Sequence, residues 1–547
     1  MILINIKYTR LSLVKLALLL FVGIGSSCSK QEVFRDDPYK GGKEALGVKF
    51  SEADADPSAG SPGDEVTFKV RGVMKFKEKL EFLVNETKAD IINVTDTSIT
   101  VKIPQNASTG GTTLLLEGQS FFGPKFTVQG KVTIDPGFKA VNGTNAVIND
   151  IVATSAGGYI LVGGFTNFEN QAPSTPINRI VEIANDGAYK SSLFRGGSDG
   201  PIQNISRLSS GKYMISGSFS SFNKTPGTNG VARLNADGSL DSMSVELINP
   251  RPNKPDLSLD TVPAFNGGVI SSINAGNFFG GIAKSFVRGD KTILLGSFDF
   301  YVKYFYPRST KDAKVIDITR MAQIAQLKEN GDLDSAYNFD PVKKQSYAGT
   351  NGPIYGAYMQ SDGKIVAVGS FSTFNGTAAK NIVRINVDGS IDPTFSSGTG
   401  ADGAIFTINY NETTNRIILS GSFRSYNGKA SNGVVMLNSN GSVDESFKFG
   451  QLVGGAPNFA AQLNNGKVIV SGDFSGYSGV VRQGFMILGQ DGTLAPGCNN
   501  TGAFQGRISR MIQTTSTLGY PAVLLVGDFT KFDNKRVGNI VRVEIKP

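Results

Sequence analysis

Four residues within six positions, Lys303, Tyr304, Tyr306 and Arg308, combine aromatic faces with cations. Tyrosines beside positive charges stack on sugar rings or grip a peptide, so these four are the candidate ligand-binding residues. The opposing expectation is that the aromatics pack a long loop against the element that carries it. Tyr301, just before them, belongs to a repeating pattern described below and is not counted. The chain has no histidine and no tryptophan. The first absence excludes a Ser-His-Asp triad, a Cys-His dyad and any histidine-ligated metal, and no cofactor is expected. Glu246, Asp256, Asp260, Asp299 and Asp312 fall in inserted segments, but no carboxylate pair stands out, and no residue is assigned a catalytic role. The acids of "SEADAD", 51–56, lack the spacing and glycine of a calcium loop. Arg233, Arg384 and Arg542 share one repeat position and receive no function.

The elements that must position such residues follow from the rest of the chain. With 547 residues it exceeds one ordinary core, and 66 glycines with 18% charged residues point to many tight turns and short strands. The net charge of +8 falls to about +5 if the segment holding Lys7, Arg10 and Lys15 is removed. No basic block stands out, and a nucleic-acid partner is not expected.

The beginning of the sequence has a basic start and then an apolar run, Leu16 to Gly25, too short to cross a bilayer. Gly25, Ser26 and Ser27 precede Cys28. This resembles a bacterial lipoprotein signal of the relaxed kind common in Bacteroidota, although Gly25 stands where leucine is usual. The resemblance implies residues 1–27 as signal peptide, lipidation of Cys28, and a membrane-anchored location, at the outer membrane and cell surface. Residues 28–47 read as a flexible tether.

Residues 48–130 alternate apolar and polar positions in "EVTFKV", "LEFLV", "SITVKI" and "TTLLLEG", the pattern of a small β-sandwich. The order of pieces resembles an IPT/TIG immunoglobulin-like domain, which implies a spacer or a protein-contact module.

From residue 146 the chain repeats. Gly-x-Phe recurs at 163, 217, 296, 369, 421, 472 and 527, mostly at intervals of 51–55 residues. In 353–395 the unit reads strand, "SDG" turn, strand, loop, strand, "DG" turn and a short "SIDPTF" strand. That is a propeller blade. The seventh unit ends after its third strand, and "TIDPGF" before the first unit supplies the missing fourth: Ile134, Asp135, Pro136 and Phe138 match Ile391, Asp392, Pro393 and Phe395. The fold expected is all-β, the sandwich followed over 131–547 by a seven-bladed β-propeller closed by strand exchange between its ends. The units resemble delta-60 repeats, with unit six departing at Leu494–Cys498. Cys498 takes a phenylalanine position and is expected to be a buried apolar residue.

Both long insertions, 246–266 and 299–318, fall on the face that carries the loops between second and third strands. The chain enters the propeller on the opposite face, where the sandwich is expected. The function expected is non-enzymatic binding of a glycan or a surface protein through the inserted face. The alternatives are a glycosidase or polysaccharide lyase using carboxylates or tyrosine, and a structural or adhesion module.

Overall fold

The computed structural model describes residues 46–171, 177–190, 196–271 and 281–547. The signal segment, Cys28 and nearly all of the tether lie outside the described residues. Among the described residues no helix is long and apolar enough to cross a membrane.

Residues from Lys49 onward form one compact unit that is almost entirely β. Its first part is a ribbon of eight strands that doubles back through one of them. Thr87–Val94 pairs at its start with Glu81–Val84 and at its end with Ser98–Lys102. The two halves enclose Val66, Phe68, Phe82, Val84, Ile99, Leu114 and Phe126, all fully buried. The Phe68 and Phe82 ring centroids lie 4.7 Å apart.

Among the described residues seven antiparallel sheets follow that carry the Gly-x-Phe strands, here called blades one to seven, with smaller hairpin sheets in their loops and links. Their first strands begin at Ile148, Ile202, Ile282, Ile354, Ile405, Leu452 and Gln505. Each first strand packs on that of the next blade, and the first blade packs on the seventh, so the array closes on itself. The Gly-x-Phe motif ends or interrupts each second strand for a steric reason. A Cβ on Gly163, Gly217, Gly296, Gly369, Gly421, Gly472 or Gly527 would strike a carbonyl oxygen at the start of the blade's own first strand. The motif's phenylalanines and the aromatic three residues later, Tyr301 included, are buried in the blade cores.

The fourth strand is shorter than the sequence pattern suggests. In five blades it is a single bridge, such as Ile385 to Ile391. What holds it is an ion pair: Arg384 Nε donates to Asp392 at 2.8 Å, with Lys364 at 2.7 Å, and the guanidinium lies 4.9 Å from the Phe395 ring centroid. Arg233 and Asp241 make the same pair at 2.6 Å. Blade seven repeats this with residues from the two ends of the propeller. Val132–Ile134 pairs with Ile540–Ile545, Arg542 Nε donates to Asp135 at 2.6 Å, and Arg542 lies 4.8 Å from the Phe138 centroid. Blade six has Ala495 and Cys498 at these positions, and Cys498 is buried among apolar neighbours of blades six and seven.

The sandwich departs from its expected place. Its polar contacts reach Arg482 and Asn534, in the loops between second and third strands of blades six and seven, and Asn500 in the link between those blades. The physical reason is capture of the linker. The Asn500 amide donates to the carbonyls of Val128 and Val132 and accepts from the Val132 N–H, which leaves residues 129–131 no slack to carry the sandwich beneath the tight-turn face.

Candidate functional site

The two insertions meet and form one structure. Ser242–Glu246 and Leu259–Pro263 make a hairpin, and Phe300–Tyr304 and Ile316–Arg320 make another. Leu247, Val262 and Tyr306 bury a small shared core. Lys314 bonds Asp260 at 2.7 Å across it. Tyr304 and Tyr306 stack with centroids 6.1 Å apart and rings 10° from parallel.

The structure does not bring the four sequence candidates together. Alternation along the strand sends Lys303 to the side opposite Tyr304, where it pairs with Asp332. Tyr306 is only 7% exposed and serves as core, and burial holds its phenol well above the ordinary range. Arg308 is exposed and lies 5.7 Å from the Phe305 ring centroid. Tyr304 and Tyr306 both line a cleft of about 140 Å³ with Pro226, Gly227, Asp260 and Lys314, and Tyr304, half-buried, is the more accessible of the two.

A larger cavity, about 320 Å³, lies where the first strands of blades one to five and seven converge. Only the central channel of a propeller is lined in this way. Every first strand carries a bulge opposite the Gly-x-Phe glycine, for example between Ile354 and Gly356, and the bulge turns one side chain toward the axis. That position holds Asn149, Gln203, Ala283, Tyr355, Phe406, Asn458 and Ser509 around the ring. Tyr355 and Phe406 are neighbours, with centroids 6.2 Å apart. The next position adds Asp150, Lys284 and Arg510. Arg510 reaches Asp150 at 2.8 Å and Lys284 reaches it at 3.5 Å, and the Asp150 carboxylate also accepts from the Ile205 N–H. The side chain of Arg507, at the mouth, makes no hydrogen bond or ion pair among the described residues. The other blades place Val147, Pro201, Gly281, Pro353, Ala404 and Ala456 there. Asp528 faces Arg507 across the ladder. The mouth lies on the insertion-bearing face, since first strands start and second strands end there.

Chemically this is a cup with an aromatic wall on blades four and five and a cationic wall on blade seven. Among the described residues Asp528 is the one carboxylate that lines it; Asp150, outside the lining, is bound by the lining residues Lys284 and Arg510. Among the described residues no group of three or more histidines, cysteines or acids is placed to hold a metal. Sequence reasoning passed over this site because each residue sits in a strand that otherwise follows the repeat. Comparing one repeat position across the seven units reveals it: Arg507 is the single charge in its column.

Known proteins resemble the chain in two ways. A family model described as "Domain of unknown function (DUF5122) beta-propeller" matches residues 208–242, 360–395 and 413–447, which marks these repeats as β-propeller repeats. A second, "Domain of unknown function (DUF5008)", matches 24–124. Among curated proteins none matches. Similar solved structures include YCF48 from Cyanidioschyzon merolae, at 13% identity over 76% of this chain and 99% of that one, with a TM-score of 0.37. An auxiliary nutrient binding protein from Bacteroides ovatus is 11% identical over 90% of this chain and 99% of that one, with a TM-score of 0.24. At these TM-scores the likenesses carry no ligand to this chain.

Proposed function

We propose that this protein is a cell-surface lipoprotein that binds a glycan without converting it, at the mouth of the propeller channel on the insertion-bearing face. The division into signal 1–27, tether 28–47, IPT/TIG-like sandwich 48–130 and delta-60-like propeller of seven blades over 131–547 is part of this reading. The observation that carries it is the channel cup, where Tyr355 and Phe406 offer ring faces opposite an unpartnered Arg507. Aromatic platforms bind the apolar faces of sugars, and a free guanidinium supplies paired donors for their oxygens. The insertions raise one rim of this face, and Tyr304 in their cleft is a secondary contact.

A glycan-array screen of the mature chain tests the reading. Tyr355→Ala with Arg507→Ala is expected to abolish any glycan signal, whereas Tyr304→Ala weakens it. No signal from the unaltered protein would remove glycans and leave a surface protein as the partner. Signal retained in the double variant would remove the channel. Product analysis on a bound glycan addresses the alternative of a glycosidase or lyase, and the appearance of shorter oligosaccharides would overturn the binding reading. Lipidation is tested separately: Cys28→Ser is expected to move the protein from the membrane to the aqueous fraction.

A further inference from the structure

The loop between second and third strands ends in the same way in five blades. One residue donates its backbone N–H back to a carbonyl at the loop's start: Thr228 to Ser220, Ala379 to Ser372, Ser431 to Arg424, Arg482 to Ser475 and Val537 to Thr530. Four of these residues are small or apolar. Blade six instead has an arginine, and it is only 3% exposed. Arg482 Nη1 donates to the carbonyls of Asn106, on the sandwich, and Val481. Its Nε has no hydrogen-bond partner, and no carboxylate pairs with it among the described residues. Burial lowers its pKa to about 10, so it stays charged at neutral pH. A buried cation without a counterion is costly, and such groups are normally paired.

Arg482 lines a cleft of about 270 Å³ between sandwich and blade six. Gln105 and Gln129 of the sandwich stand on one side, with Pro496, Gly497 and Asn499 of blade six on the other. Unit six departs from the repeat here: Ala495 and Gly497 stand where blade four has the bulkier Asp392 and Thr394, which leaves room for the cleft. Neither lining wall carries an acid.

We infer that this cleft is an oxyanion site, with the Arg482 guanidinium as its charge and the Gln105 and Gln129 amides as neutral donors at its rim. The group bound is a carboxylate or a sulfate, since both offer the planar or tetrahedral oxygens that a guanidinium recognises. It comes either as a free ion or on an acidic sugar. The site joins two domains, so its occupant clamps the sandwich to the propeller. It is separate from the channel and does not depend on the reading given to it.

The test is calorimetric titration of the full mature chain with sodium sulfate and, separately, sodium glucuronate, at constant ionic strength. Saturable binding of one anion per chain is expected. Arg482→Gln is expected to weaken it at least about tenfold, as loss of one charge-assisted contact predicts. Tighter binding of glucuronate identifies a sugar-borne group, and tighter binding of sulfate identifies a sulfate; either supports the site. No heat with either anion, or equal affinity in the variant, overturns it and leaves Arg482 as a structural clasp. If Arg482→Gln fails to fold, Gln105→Leu with Gln129→Leu on the exposed rim is the substitute. Unchanged anion affinity in that double variant counts against the site.

Discussion

Tyr306 and Tyr355 carry the same side chain, and their environments make them opposites. Tyr306 is buried between the insertions, whereas Tyr355 is 45% exposed at the channel. Tyr306→Ala is therefore expected to cost on the order of 2–4 kcal/mol in urea unfolding, with loss concentrated in the insertions. Tyr355→Ala is expected to cost under about 0.5 kcal/mol while removing ligand binding. The reverse ranking would mean that the insertion, not the channel, presents the binding aromatics. The pattern of types visible in the sequence could not separate the two, because burial depends on which distant segment lies over a ring. Here Leu247 and Val262 come from the preceding inter-blade link.

At the scale of the element, the fourth strand is a short segment that in blades two to five and seven is kept in place by its aspartate. The closure of the ring rests on the same device, since Asp135 and Arg542 are both almost fully buried and come from opposite ends of the propeller. Asp135→Ala leaves Arg542 uncompensated and is expected to destabilise the propeller by about 3–5 kcal/mol. Asp392→Ala breaks the equivalent pair in blade four, where no chain end has to be held. Limited proteolysis separates the two: Asp135→Ala should expose the Val132–Ile134 strand to cleavage, and Asp392→Ala should not. Equal cleavage at that strand in both variants would refute a special role in closure. This pairing was legible in advance, because "TIDPGF" and "SIDPTF" share their aspartate and phenylalanine. The arginine partner was seen only as repeat architecture, and the structure shows the bond it makes.

Across the whole molecule these aspartates give stability a common pH dependence. Burial alone would raise Asp135, Asp241, Asp334, Asp392 and Asp444. Hydrogen bonds and the facing cations outweigh it and hold all five below the ordinary carboxylate range. A carboxylate depressed in the folded state contributes stability that is fully present above its unfolded pKa, about 4, and is lost as pH falls through the folded value. Thermal unfolding is expected to change little from pH 7 to 5 and to fall steeply below about pH 4, with several blades losing their pairs together. A gradual decline beginning near neutrality would contradict the shared cause. The docked sandwich is a second feature at this scale. Its place against blade six coincides with the loss of the aspartate and the phenylalanine of that unit's fourth strand, where Ala495 and Cys498 stand while Pro496 is kept.

The sequence alone determined the all-β architecture, the repeat and the exchange of ends, because steric rules act locally: a glycine under a carbonyl or a paired aspartate leaves its mark at a fixed spacing. It also determined that the insertions share a face, because strand order alternates the loops. Only the tertiary structure decided where the sandwich docks, which tyrosines are core, and that the channel gathers Tyr355, Phe406, Arg507 and Arg510 into one cup. Those residues lie in blades four, five and seven, up to 155 positions apart. Their meeting is set by the ring's closure, and no local spacing encodes it.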